Sequence, residues 1–395
     1  MIGYLYFSRL TFPQIGEKLI TDIPNPVDLT RTLVGFNTIN PPGNERPCAE
    51  HLGNLLEAGG FSISYYEFAD TRTSLVARIG GTSDTKPLCF TGHIDIVPLG
   101  GAPWSVDPFA GEIADGKLYG RGTTDMKSGV AAFVTAALRI ADEMAQGPGL
   151  VLVITAGEET GCEGAYHLAE LGSALGDAGA IVVGEPTSNK PRIGHKGALW
   201  LKATTKGVTA HGSRPEDGDN AVYKAARAIT QLEDFDFNVA RHEVLGKPTL
   251  NVGTVHGGMN INSVPDLTEI GIDIRTIPAQ SHTTLQTQLS GYLGDQVDLE
   301  PVIDVDGVLT NSADEWVQEV NEIITGIQGE IPEYKTGTGF TDASVLTPAY
   351  GGAPTVILGP GEPFMAHKTD EYCVVDKIPE AENAYIEISR RWNKR

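Results

Sequence analysis

Five short apolar runs constrain this chain more than any other feature. Residues 74–79, 88–97, 150–156, 181–184 and 355–358 are almost continuously apolar and are bounded by Gly or Pro. Runs of that length without polar alternation suit strands buried on both faces. Helical patterns lie between them. Val130, Phe133, Val134, Ala137 and Leu138 recur at helical spacing after Ser128, and residues 166–175 continue the theme. Asn25-Pro26 opens a helix running to Leu33, and a second helix over 50–58 stops at Gly59-Gly60. Strands alternating with helices predict a doubly wound, mostly parallel α/β sheet.

Residues 192–302 have a different rhythm. Strands are predicted at 199–205, 250–255, 267–275 and 297–302, with helices at 220–232 and 283–293. Within 267–275, Ile270, Ile272 and Ile274 face one way while Glu269, Asp273 and Arg275 face the other. The order β-α-β-β-α-β is that of the split-βαβ, ferredoxin-like α+β unit. The expectation is an α/β domain built from residues 1–191 and 303–395, interrupted by a 192–302 domain with joins near Pro191 and Pro301. A length of 395 residues accommodates such a division.

Charge and cysteine usage exclude several function classes. Lys and Arg total 29 against 51 Asp and Glu, a formal net charge of -22. A surface that acidic repels phosphate backbones, so neither nucleic acid nor an anionic membrane is expected as a partner. No stretch approaches the ~20 apolar residues needed to span a bilayer. Residues 1–7 are apolar, but Arg9 follows and no basic segment precedes them, so no secretory signal is expected. Cys48, Cys89, Cys162 and Cys373 form no CxxC pair, which argues against a disulfide framework or a thiolate zinc site. A buried free thiol is expected at Cys89, and the compartment is read as the reducing cytoplasm.

Polar residues cluster where these strands end. His93 and Asp95 come late in one apolar run, Glu158 and Glu159 follow the next, and Glu185 follows Ala-Ile-Val-Val-Gly. Asp125 lies in a Gly-rich turn directly before a helix, and His367 follows the last run through a Gly/Pro loop. Singly, Glu158-Glu159 reads as a solvated pair and Asp125 as a helix N-cap. Together they sit where open α/β sheets bind ligands, and so many carboxylates and imidazoles repel one another unless a cation lies among them. Mixed His and carboxylate ligands fit catalytic zinc, and a shared carboxylate fits a two-metal hydrolase. One of Glu158 and Glu159 would coordinate while its neighbour takes a proton from water. Asp95, two residues from His93, is placed to fix the imidazole tautomer.

Three stretches carry a resemblance: Thr91-Gly-His-Ile-Asp-Ile-Val-Pro, Gly116-Lys-Leu-Tyr-Gly-Arg-Gly-Thr-Thr-Asp-Met-Lys-Ser-Gly and Ala156-Gly-Glu-Glu-Thr-Gly. With Gly184-Glu-Pro-Thr, Gly207-Val-Thr-Ala-His-Gly-Ser, Asp273-Ile-Arg and Ala366-His-Lys-Thr-Asp-Glu-Tyr, the chain resembles the family of acetylornithine deacetylase, succinyl-diaminopimelate desuccinylase, carboxypeptidase G and aminoacylase. That resemblance implies two Zn²⁺ per chain, with Co²⁺ or Mn²⁺ as possible substitutes. His93, Asp125 and Glu185 would hold one ion, and Asp125 would bridge to a second held by Glu159 and His367. Glu158 would be the general base for attack by hydroxide, and Asp95 would orient His93. The inserted domain would form a homodimer, His211 would reach the partner's site to oppose the oxyanion, and Asn262 and Arg275 would bind substrate. Gly337-Thr-Gly-Phe-Thr-Asp resembles a substrate loop.

The implied activity is removal of an acyl group from a small N-acylated amino acid. A carboxypeptidase or dipeptidase with the same centre is the alternative, and a zinc-containing binding protein without turnover is a third reading that the presence of Glu158 opposes. A planar guanidinium at Arg275 suits a carboxylate, although pairing with Asp273 would equally explain it. His195, His256 and Lys196 receive no role.

Overall fold

The computed structural model describes residues 23–395. The apolar stretch at 1–7 lies outside the described residues. Strands β1 (Ser62–Ala69) and β2 (Arg72–Ile79) form a hairpin, and β3 (Leu88–His93) follows. Two short strands, β4 (Ile113–Ala114) and β5 (Lys117–Tyr119), precede β6 (Leu150–Thr155), β7 (Ala180–Val183), β8 (Arg192–His195) and β9 (Gly197–Lys206). Then come β10 (Thr249–Gly257), β11 (Leu267–Thr276), β12 (Asp298–Val305), β13 (Val308–Leu309), β14 (Lys335–Gly337), β15 (Thr355–Ile357) and β16 (Tyr372–Val374).

The main sheet runs β1-β2-β6-β3-β7-β15-β8-β13, with β14 on the side of β8. Its centre, β6-β3-β7-β15, is parallel, and β2 and β8 flank it antiparallel. Both faces of the centre are covered. Leu88 and Phe90 point into one apolar cluster, where Phe90 stacks on Phe133 with ring centroids 6.0 Å apart. Cys89 points into the other, with Val151, Val153 and Leu168. Burial on both sides is why these strands carry no polar alternation. From β3 the chain crosses to β6 on one side and β7 on the other, so the crevice at the end of β3 is a topological switch point.

β9 to β12 form a separate antiparallel sheet in the order β10-β11-β9-β12, the fourth-first-third-second arrangement of a ferredoxin-like unit. The period-2 pattern holds: Ile270, Ile272 and Ile274 pack with Leu285 and Leu289 of the helix His282–Leu293. Asp273 pairs with Trp200 across the strands and both face away from those helices. A third sheet joins β16, β5 and β4.

Local signals behave as their chemistry dictates, with two shifts, the first being the helix expected over 166–175, which spans Glu163–Glu170. Asn25 caps the helix Pro26–Val34 by accepting the Val27 amide at 2.8 Å. The second helix spans Arg46–Ala58 and starts before residue 50, because Pro47 is preorganised for a first helical turn. All four cysteines are buried and free. Among the described residues no helix is long and apolar enough to cross a membrane.

Candidate metal centre

His93 ends β3, Glu158 and Glu159 follow β6, and Glu185 follows β7, so three neighbouring strands deliver them to one crevice. Asp125 arrives from the turn Thr123–Lys127 ahead of the helix Ser128–Arg139. That turn needs Gly122 at φ 84°, where an added Cβ would meet Ile96 Cγ2 at 2.6 Å. His367 comes from the loop after β15 and sits at φ 64°, a left-handed conformation that costs a non-glycine residue about 1–3 kcal/mol and is held here by its surroundings.

Asp125 lies between the two imidazoles. Its Oδ1 is 3.2 Å from His93 Nε2 and its Oδ2 is 3.4 Å from His367 Nε2. Glu185 Oε1 stands 3.5 Å from His93 Nε2, and Glu159 Oε2 stands 3.0 Å from His367 Nε2. Two ligand groups result, His93-Asp125-Glu185 and Asp125-Glu159-His367, each with its donor atoms within 4.8 Å of one another. They share Asp125. The nitrogen and oxygen donors, with no thiolate, fit a first-row divalent ion such as zinc. Glu158 belongs to neither group and stands 3.9 Å from His93 Nε2.

Protonation reflects the crowding. Glu185 is pushed up to about 8, by burial first and then by the charge of Asp125. Burial raises Glu158 well above the usual carboxylate range, with Glu185 and Glu159 adding to it. Hydrogen bonds to Asp125 and Glu159 lift His367 to about 11. At His93 burial opposes the charge, but hydrogen bonds to Asp125, Asp95 and Glu185 outweigh it and raise the ring. Without a cation the crevice therefore holds protons at neutral pH, and a metal must displace them. Groups with raised values lose those protons as pH rises, so affinity grows with pH. Zinc titrations at pH 6 and pH 7.5 are expected to differ by about tenfold per pH unit for each displaced proton, and a pH-independent affinity would contradict the ligand set.

Asp95 does more than the sequence predicts. Strand β3 stops at His93, so the two residues do not share a strand face, and His93 Nδ1 lies 3.0 Å from the Asp95 carbonyl and 3.5 Å from its carboxylate. The carboxylate accepts the amides of Glu158 and Glu159, each at 3.2 Å, and the Asn40 amide at 2.9 Å. Asp95 thus pins the turn that presents both glutamates.

Glu371 was missed as a separate group, although it lies in the motif with His367. Its Oε1 accepts the amides of Thr124 at 2.8 Å and Asp125 at 3.0 Å, and its Oε2 accepts Gly122 N–H at 3.0 Å and Arg121 Nη1 at 2.6 Å. One buried carboxylate therefore locks the turn of Asp125 to the loop of His367. A lone acid four residues past a loop histidine gives no such signal; only the cluster of buried amides needing an acceptor does. Glu371→Gln is expected to weaken zinc binding about 10–100-fold, with activity recovering at saturating zinc. Unchanged affinity by competition with a fluorescent chelator would remove Glu371 from the centre.

The substrate candidates divide. Arg275 lines a cavity of 440 Å³ over the centre, together with Trp200 and residues 337–341. Its guanidinium is already paired with Asp273 at 2.8 and 3.1 Å. His211 and Asn262 lie together on adjoining loops, with Gly212 N–H donating to Asn262 O at 2.7 Å. Both are exposed and neither lines that cavity.

The family model for Peptidase family M20/M25/M40 matches residues 89–391. A succinyl-diaminopimelate desuccinylase from Cereibacter sphaeroides is 32% identical over 92% of this chain and 98% of its own. An acetylornithine deacetylase from Myxococcus xanthus is 33% identical over 85% of this chain and 89% of its own. Among solved structures, an M20 family metallo-carboxypeptidase from Sulfolobus solfataricus superposes with a TM-score of 0.80 at 17% identity, covering 94% of this chain and 100% of that one.

Proposed function

Because the chain belongs to peptidase family M20/M25/M40 and is thereby a metal-dependent hydrolase of amide bonds, we propose that it removes the acyl group from a small N-acylated amino acid at a two-zinc centre. The observation that carries the proposal is the pair of ligand groups sharing Asp125. His93, Asp125 and Glu185 would hold one ion, and Asp125, Glu159 and His367 the other. When bound, such ions supply Lewis acidity towards the scissile carbonyl and make the attacking water more acidic.

The chain's own residues do the rest. Glu158, outside both groups and buried beside them, takes the proton from the attacking water and passes it to the leaving amine. Asp95 holds Glu158 and Glu159 through their amides. Arg275 faces the same cavity from the second sheet. The second sheet, running from Gly197 of β9 to Val305 of β12, would carry this face over the centre as one unit, while Arg192–His195 stay in the main sheet.

That unit is also the proposed dimer contact. β10 is an edge strand, and Met259 and Ile261 beside it are 87% and 104% exposed. Exposed apolar side chains at an unpaired strand edge suit association with a second copy. His211 and Asn262 lie on this unit outside the cavity, which fits delivery to the site of a neighbouring copy.

The test is metal content by elemental analysis together with hydrolysis of a panel of N-acyl amino acids and dipeptides, zinc-loaded. Near two zinc per chain with cleavage of N-acyl amino acids supports the proposal. Cleavage of dipeptides alone would shift it to a peptidase, and no turnover after loading with zinc or cobalt would end it.

A further inference from the structure

Arg192 starts β8, beside β14 and opposite Ile357 of β15, and lines the cavity over the centre. Its Nη1 comes within 3.7 Å of where a Cβ on Gly337 would stand, so the guanidinium lies against the glycine-containing 337–341 loop. It is partly buried, and Glu185 is the one charge that acts on it appreciably. Among the described residues it has no salt bridge within 4.0 Å. Arg275, the other guanidinium of the cavity, already has the Asp273 carboxylate. The wall behind Arg192 is fixed. His195 is buried with its ring between Lys196 O at 2.9 Å and Thr341 Oγ1 at 3.1 Å, which ties β8 to the loop.

An arginine partly withdrawn from water and left without a carboxylate is less favourable than one whose charge a ligand completes. Two divalent ions would offset the carboxylates of Asp125, Glu158, Glu159 and Glu185, leaving Arg192 as the uncompensated charge of the cavity. Its planar fork matches a carboxylate in bidentate geometry. In a chain of net charge -22, a local cation is also what would let an acidic substrate approach. We propose that Arg192 binds a second carboxylate of the substrate, so that the preferred substrates are N-acyl amino acids with an acidic group on the acyl chain or the side chain. This rests on the deacylase reading above and adds a specificity-determining residue to it.

The test uses zinc-loaded wild type, Arg192→Met and Arg192→Lys with two matched pairs. One pair is an N-succinyl amino acid and its succinamide counterpart; the other is N-acetylglutamate and N-acetylglutamine. In at least one pair the acid-to-amide ratio of kcat/KM is expected to fall about 10–100-fold in the Met variant, carried by KM, and to recover partly in the Lys variant. The responding pair identifies which side of the amide bears the acid. Unchanged ratios in both pairs, or equal losses on all four compounds, would overturn the assignment; equal losses would mean that Arg192 only supports Glu185. If wild type cleaves none of the four, the wider N-acyl amino acid panel decides the deacylase reading, and calorimetry with succinate and glutamate still decides Arg192. Weaker binding by about tenfold in the Met variant supports the subsite, and equal binding overturns it.

Discussion

Glu158→Gln is expected to lower kcat by about 10²–10⁴-fold while zinc content stays at the wild-type level. Glutamine keeps the shape and the backbone of the turn but cannot take a proton. Metal content should survive because Glu158 lies outside both ligand groups, and because Glu159 is held independently through its amide to Asp95. The same change at Glu159 or Glu185 should instead lose metal along with activity. Burial first, and the charges of Glu185 and Glu159 next, keep the Glu158 carboxyl high in the metal-free chain, as a group that must exchange protons near neutrality requires. Divalent ions at those neighbours would favour its ionised form. The rate of wild type should then rise with pH as Glu158 loses its proton and flatten above that point, and the Gln variant should lose this limb. Rates and zinc stoichiometry measured together decide the matter. A Gln variant that keeps more than about a tenth of wild-type kcat would remove Glu158 as the base.

What could be read beforehand follows from how locally each feature is encoded. Strands buried on both faces declare themselves, since Leu88 and Phe90 serve one core while Cys89 serves the other, leaving no room for polar residues. Their ends were equally plain, because a His or Glu directly after such a run has few structural reasons to be there. The alternation around Ile272 gave away the second sheet in the same way. Features that depend on where the chain returns were out of reach. The antiparallel margins at β2, β8 and β13 depend on pairing between distant segments. Glu371 matters only because folding gathers the amides of Gly122, Thr124 and Asp125 around it. Arg275 reads in sequence either as a carboxylate receptor or as a partner of Asp273, and the fold makes the Asp273 pair, while Arg192, unremarkable between Pro191 and Ile193, has no ion-pair partner among the described residues.

A second large effect is expected at His211. Its Nδ1 is 2.8 Å from Ser213 Oγ, and the ring stands exposed on the second sheet's loops, outside the cavity that holds Glu158. If the ring opposes the developing oxyanion in a neighbouring copy's site, His211→Ala should cost about 10²–10³ in kcat, near 2.7–4 kcal/mol, with little change in zinc content. The same loss could come from disturbing the loop around Asn262, so the single variant does not decide where the ring acts. Mixing does. A His211→Ala subunit keeps its own Glu158, and a Glu158→Ala subunit keeps its His211. In a two-fold dimer that shares sites, each mixed dimer restores one complete site, whereas sites built from one chain stay broken in both partners. Co-refolded in equal amounts, half the dimers are mixed and half their sites are whole, so about a quarter of the wild-type rate should return. A mixture no more active than the average of its two parents would place His211 in its own subunit's site or in none, and the dimer would then carry no catalytic role.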